Sequence, residues 1–130
     1  MQDNERKYKL PLSELIDKLT ITQLRELLLE KNKDFNAKEI SELEHDINLI
    51  LSAENIEIDA RFLRIVFLMG QINTLIWMYK DVMELLPDQY DKYLKLAHQI
   101  NGLKNQLKNM LSETGRTNIK TDGLNISVSL

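Results

Sequence analysis

The strongest candidate for metal chemistry in this chain is a pair of side chains, Glu42 and His45, three positions apart in a predicted helix. The Glu-x-x-His spacing places a carboxylate and an imidazole on one helix face, as in di-iron carboxylate bundles. Such a site also needs a second Glu-x-x-His copy and two further inward glutamates. The other histidine, His98, has Lys95 at the matching position. The sequence therefore favours two exposed polar residues over a metal centre, and we predict no metal or other cofactor.

A second candidate is a basic stretch between residues 92 and 120, in which Glu113 is the single acid. Its cations are Lys92, Lys95, Lys104, Lys108, Arg116 and Lys120. Cations clustered in this way would suit the phosphates of a small nucleotide. They are also typical of the solvated outer face of a helix, balanced by acids elsewhere on the surface. The net charge of −3 argues against nucleic-acid binding by the whole surface.

The remaining catalytic signatures are absent from the sequence. The chain contains no cysteine, which excludes disulfides, thiolate metal sites and a cysteine nucleophile. It also contains no His-Glu-x-x-His, no Gly-x-Ser-x-Gly and no phosphate-binding glycine loop. We therefore predict a protein that is not an enzyme.

Two further features point to an intracellular, cytoplasmic protein. The first nine residues are polar and charged, unlike a secretory signal. The longest apolar run, around Ile65, is interrupted by Gln71 and Asn73 and flanked by Arg61 and Arg64. This pattern does not suit a membrane span.

The element that would position any site is a long helix predicted over residues 59–86. Its apolar residues recur every three or four positions, beginning at Phe62, and a second apolar row lies beside the first. A helix that is apolar nearly all round is normally buried, so we expect the other helices to cover it. Asp59 is expected to cap its start, and Pro87 to end it.

Two helices are predicted before this one. The first begins after Pro11 and either restarts at Thr20, which forms a capping box with Gln23, or continues to Lys31. The second is predicted to begin at Asn36, with Glu39 completing the capping box, and to end near Ala53.

A fourth helix is predicted over residues 88–113. The connection from the long helix is so short that the two must form an antiparallel hairpin. The predicted fold is all-α, a four-helix bundle-like domain over residues 1–115 with a flexible arm at 1–9. The tail, residues 116–130, alternates apolar and polar residues after a turn signal at Asp122-Gly123. We expect it to be disordered or to pair as a strand with a partner.

Two short segments resemble a known family. Residues 12–21, Leu-Ser-Glu-Leu-Ile-Asp-Lys-Leu-Thr-Ile, are similar to the opening Leu-Gly-Glu-Leu-Ile-Asp-Lys-Leu-Ser-Ile of uncharacterised helical proteins from tailed phages and bacteria. Residues 72–77, Ile-Asn-Thr-Leu-Ile-Trp, resemble an Ile-Asn-x-x-Ile-Trp segment of those proteins. The resemblance implies a small, stand-alone intracellular protein of the kind that phages encode, and it implies no activity and no site residue.

The apolar surplus of the long helix carries the main functional hypothesis. Residues 62–69 have apolar side chains on several helix faces, which is typical of an oligomer interface or a partner groove. We therefore predict a non-enzymatic homo-oligomer or protein-interaction protein, a phage accessory factor that acts on a host or phage component. The predicted interface comprises Phe62, Ile65, Met69, Ile72, Ile76, Trp77, Leu96, Ile100, Leu103 and Leu107. The alternative is a binder that sequesters an anionic, nucleotide-type small molecule at the oligomer interface, using the basic stretch.

Overall fold

The computed structural model describes residues 4–112, and this part of the chain is all-α, as predicted. Its helices are α1 (Leu12–Leu28), α2 (Lys33–Ala53), α3 (Ala60–Leu85) and α4 (Tyr90–Ser112). A single 3₁₀ turn, Pro87–Gln89, precedes α4. The described residues include no strand. The strand or disorder predicted for residues 116–130 lies outside the described residues.

The long hairpin of α3 and α4 forms as the sequence predicts. The backbone N–H of Phe62 donates a 2.8 Å hydrogen bond to Asp59 Oδ1, so Asp59 caps α3. The helix ends at Leu85, two residues before Pro87. Beyond the turn, α4 packs back along α3, and the rings of Tyr79 and Tyr93 lie 5.5 Å apart between their centroids.

The first helix is continuous, which settles the choice that the sequence leaves open. Thr20 lies within α1, and its hydroxyl donates to the carbonyl oxygen of Asp17 at 2.8 Å rather than capping a new helix. A threonine inside a helix can make such a bond to the preceding turn, which satisfies the hydroxyl without breaking the helix.

The predicted start of α2 at Asn36 is wrong by three residues. Asn32 has a positive φ of 64°, a left-handed conformation that asparagine tolerates, and it turns the chain so that α2 begins at Lys33. The Asn36 N–H already donates to the Asn32 carbonyl at 2.9 Å. Glu39 does not complete a capping box, because its carboxylate lies 3.2 Å from Lys18 Nζ of α1.

The helix with the most neighbours is α1, not α3. The backbone of α1 approaches all three other helices, whereas α2 approaches α1 alone. Leu15 of α1, Leu43 of α2, Met69 of α3 and Leu107 of α4 are fully buried in the shared core. The expectation that the other helices cover α3 nearly all round is therefore wrong. With α2 packed on α1, one side of α3 has no helix against it among residues 4–112.

The described part of the predicted flexible arm is bound to α2. The backbone N–H groups of Lys7 and Tyr8 donate to the Asp46 carboxylate at 2.8 and 2.7 Å. Arg6 Nε lies 3.5 Å from the same carboxylate. Asp46 is fully buried, and such a carboxylate requires hydrogen-bonded partners. Residues 6–8 supply them, which corrects the prediction of a free arm.

By length and composition alone, α3 could cross a membrane, with a mean hydropathy of 1.3 over its most apolar window. Core helices of soluble proteins share this property. Here α3 packs Ile65, Met69 and Ile72 into a core that α1 and α4 complete. Since 28% of that window is buried, α3 is only in part a core helix, and a soluble, cytoplasmic protein stays a prediction.

Candidate functional site

A buried polar cluster joins α1 to the α3–α4 hairpin. Asn73 Nδ2 donates to Asp17 Oδ1 at 2.9 Å and to Thr20 Oγ1 at 2.6 Å. Lys104 Nζ donates to Asn73 Oδ1 at 3.1 Å and lies 3.4 Å from Asp17 Oδ1. Lys108 Nζ completes the cluster, 3.0 Å from Asp17 Oδ2. Each of the helices α1, α3 and α4 therefore contributes at least one polar side chain to the cluster.

The electrostatics of this cluster favour its charged form. Burial by itself would raise the pKa of the Asp17 carboxyl. Hydrogen bonds from Asn73 and Lys108, together with the charges of Lys104 and Lys108, outweigh that effect and hold this pKa below its ordinary value. Burial likewise opposes the charge of Lys108, but Asp17 and Glu14 outweigh it and raise the pKa of the ammonium group. The cluster is thus an internal ion pair network rather than an acid or base poised near neutrality.

The structure divides the predicted anion-binding residues into three groups. Lys104 and Lys108 are largely buried and face carboxylates, and Lys108 Nζ also lies 3.2 Å from Glu14 Oε2. Lys92 and Lys95 are exposed near the start of α4, and Lys92 Nζ lies 5.6 Å from the ring centroid of Tyr93. The last two, Arg116 and Lys120, lie outside the described residues. The described lysines therefore do not converge on one site for an anion.

The predicted interface residues mostly lie inside a single chain. Seven of them are buried in the monomer: Phe62, Ile65, Met69, Ile72, Leu96, Ile100 and Leu107. Ile76 and Leu103 are partly buried against the same core, and Trp77 is half-buried. Since the core of one chain already uses all of these residues except Trp77, an interface between chains would have to use mainly other side chains.

The side of α3 that faces away from α1 and α4 carries such side chains. We call it the outer face and define it by Leu63, Phe67, Leu75, Met78 and Leu85. Their exposed fractions range from 38% at Leu75 to 77% at Leu85. Spacings of three, four, seven and eight residues place them on one side of the helix. The apolar surplus predicted from the sequence is real, but it lies on different residues from the predicted interface.

Glu42 and His45 gain no metal-binding neighbours. The Nε2 atom of His45 lies 3.0 Å from the carbonyl oxygen of Glu5, so the arm occupies one ring nitrogen. Among residues 4–112, no three histidine or carboxylate side chains come close enough to hold an ion.

The arm also borders a cavity of about 520 Å³ at the end of α2, lined by Arg6, Ile50 and Glu54 among others. The guanidinium of Arg6 also contacts Asp46 and the carbonyl oxygen of Leu10, so its charge is already paired with a buried carboxylate.

Sequence reasoning missed the polar cluster, although one signal for it was visible. Asn73 lies between apolar residues of the most apolar helix, and a polar group in such a position is costly unless it has partners. The sequence does not reveal that those partners are Asp17 and Lys104, because they lie 56 and 31 residues away.

No protein-family model matches the chain, and no curated protein or solved structure matches it.

Proposed function

We propose that this protein is a non-enzymatic helical interaction protein that assembles with copies of itself through the outer face of α3. The observation that carries the proposal is the exposure of large apolar side chains along one side of this helix, with Phe67 63% exposed near its middle. Contiguous apolar patches of this kind are uncommon on monomeric proteins and mark interaction surfaces.

Helical spacing supports the same proposal. A second helix needs a continuous apolar stripe to pack against, and the outer face extends from Leu63 to Leu85. At about 1.5 Å per residue this is roughly 33 Å of helix. A copy of the same face is a suitable partner because it is equally long and equally apolar, and a two-fold pair uses the same patch on both chains.

The alternative function, sequestration of an anionic nucleotide, has less support. Two of its predicted lysines, Lys104 and Lys108, are neutralised by carboxylates of α1. A role as a phage accessory factor stays a prediction from the resemblance of residues 12–21 and 72–77.

The test is the molar mass of the purified protein, measured by light scattering over a range of concentrations. We expect the wild type to form a discrete oligomer and Phe67→Glu to be monomeric, because a carboxylate would have to be buried in the interface. The matched control is Phe35→Glu, since Phe35 is 66% exposed at the start of α2, away from the outer face. It should keep the wild-type mass.

Circular dichroism checks that both variants remain folded, which is expected because neither phenylalanine belongs to the buried core. A monomeric wild type, or an unchanged oligomer in Phe67→Glu, would overturn the proposal.

A further inference from the structure

We infer that the second copy binds the outer face in the antiparallel direction, and that Arg64 and Asp81 at opposite ends of the face recognise each other across the pair. The inference rests on the proposed function and adds the orientation of the partner and the residues that select it.

The charges of α3 are distributed in an unusual way. Arg61 and Arg64 lie in its first turns, whereas Asp81 and Glu84 lie near its end. Apart from the capping Asp59, the first turn has no acid, and the last turn has no base. Because the N-terminus of a helix is the positive end of its dipole, this arrangement is the reverse of the one that stabilises a helix alone. It leaves the two ends of α3 with opposite charges.

Arg64 and Asp81 are available to a partner. Both are exposed, and neither takes part in a salt bridge or side-chain hydrogen bond within the described part of the chain. Their helical positions place them at the two edges of the outer face, near Leu63 and Met78. Besides Asp81 and Glu84, the acidic end of α3 carries Lys80, which lies on the opposite side of the helix from Phe67 by the same spacing.

The charged and apolar positions of α3 match those of a second copy of the helix that runs in the opposite direction. Arg64 and Asp81 are equally far from the midpoint of the helix segment, which lies between Ile72 and Asn73. Phe67 and Met78 are also equally far from this point. In an antiparallel two-fold pair crossing there, Phe67 would meet the partner's Met78, and the arginine end of each copy would meet the acidic end of the other.

The charges also distinguish an antiparallel pair from a parallel one. A parallel pair would instead bring Arg64 beside a second Arg64 and Asp81 beside a second Asp81. Like charges placed together disfavour that arrangement.

The test uses two charge-reversed variants, Arg64→Glu and Asp81→Arg. Each variant alone would pair like charges at both ends, and its self-association should weaken by about tenfold or more. A mixture of the two should regain wild-type affinity as a heterodimer, because each end then meets the opposite charge. The charge control is Lys38→Glu, an exposed lysine of α2 that should leave self-association unchanged. A mixture no tighter than either variant alone would overturn the inference.

Cross-linking gives an independent measure of direction, since the wild-type chain has no cysteine. Positions 71 and 74 are equidistant from the midpoint, so a mixture of Gln71→Cys and Thr74→Cys should form a disulfide-linked dimer under mild oxidation. Leu63→Cys alone should not, because the two copies of residue 63 would lie about 28 Å apart along the helices. Efficient cross-linking of Leu63→Cys would indicate a parallel pair and contradict the inference.

The two proposals fail in different ways. In one outcome the wild type assembles and Phe67→Glu does not, but the mixture of charge-reversed variants still associates weakly. That result supports the interface and contradicts its antiparallel direction. If the wild type is a monomer, both fall.

Discussion

The side-chain amide of Asn73 in α3 donates a 2.9 Å hydrogen bond to the carboxylate of Asp17 in α1. Both side chains are buried, and Lys104 of α4 contacts each of them. This contact joins α1 to the long hairpin at a point where every partner is polar. A buried polar group that loses its hydrogen-bond partner destabilises the fold. The contact therefore stabilises one position of α1 on the hairpin.

Replacing Asn73 with alanine should therefore destabilise the fold. The change removes the amide that donates to Asp17 and Thr20 and the oxygen that accepts from Lys104. We expect a loss of about 1–3 kcal/mol in the free energy of unfolding, measured by urea denaturation. Asn101→Ala, at an exposed position of α4, should change it by no more than about 0.5 kcal/mol. Equal effects of the two substitutions would contradict the role of the cluster.

Reversing the charge of Lys104 should be more harmful than reversing that of Lys95, although the sequence presents both as lysines of one basic stretch. Glutamate at position 104 would place a carboxylate against buried Asp17 and remove one of the two cations that contact it. Breaking a buried ion pair typically costs about 3–5 kcal/mol. Lys95→Glu changes an exposed residue and should cost little. Thermal unfolding of the two variants measures the difference, and a stable Lys104→Glu protein would show that the network is unimportant.

The stability of the fold should fall at acid pH because of Asp17 and Asp46. Burial opposes the charge of Asp46 as well, but hydrogen bonds from Lys7, Tyr8 and Arg6 outweigh it, so the pKa of each carboxyl is lower in the folded state than its ordinary value of 3.8. The unfolded chain then binds protons more readily than the folded chain. The contribution of these carboxylates to the free energy of unfolding is therefore present above pH 3.8 and lost as the pH falls through the folded pKa.

The pH dependence of stability that Lys108 contributes has the opposite sign, because the pKa of Lys108 is raised above 10.5 in the folded state. Its contribution is present below pH 10.5 and lost as the pH rises through the folded pKa. Urea denaturation across the pH range tests both the acid limb and the alkaline limb of the curve of stability against pH. Asp17→Asn should flatten the acid limb, and an unchanged acid limb in this variant would contradict the assignment.

Asp46 should control whether the amino-terminal arm stays on α2. In Asp46→Ala the backbone N–H groups of Lys7 and Tyr8 lose their acceptor. We expect their hydrogen exchange to accelerate by about tenfold or more, since a hydrogen bond to a charged group is worth about 1.5–3 kcal/mol. Glu44→Ala, an exposed acid on the same helix, is the control and should leave the exchange unchanged. Slow exchange in Asp46→Ala would mean that other contacts hold the arm.

Local sequence patterns predict the helices of this protein better than the contacts between them. The cap at Asp59 and the stop before Pro87 follow from the chemistry of single residues and their immediate neighbours. The start of α2 does not, because Asn36 and Glu39 form a plausible capping box that the left-handed turn at Asn32 and the pairing of Glu39 with Lys18 override. A residue with two acceptable local roles takes the one that its distant neighbours allow.

Residues that are close together in the chain are enough to predict that this protein is helical, where its long hairpin turns, and that α3 has more apolar surface than one chain would hide. Periodicity and end signals carry that information, because they depend on residues within a few positions of one another. The packing of the helices is needed to show that α1 lies at the centre, that Lys104 and Lys108 face Asp17, and that the outer face of α3 is exposed. The physical reason is that a heptad row fits a partner in its own chain or in another chain equally well. The choice depends on which helices pack on each face, and that is a property of the whole fold.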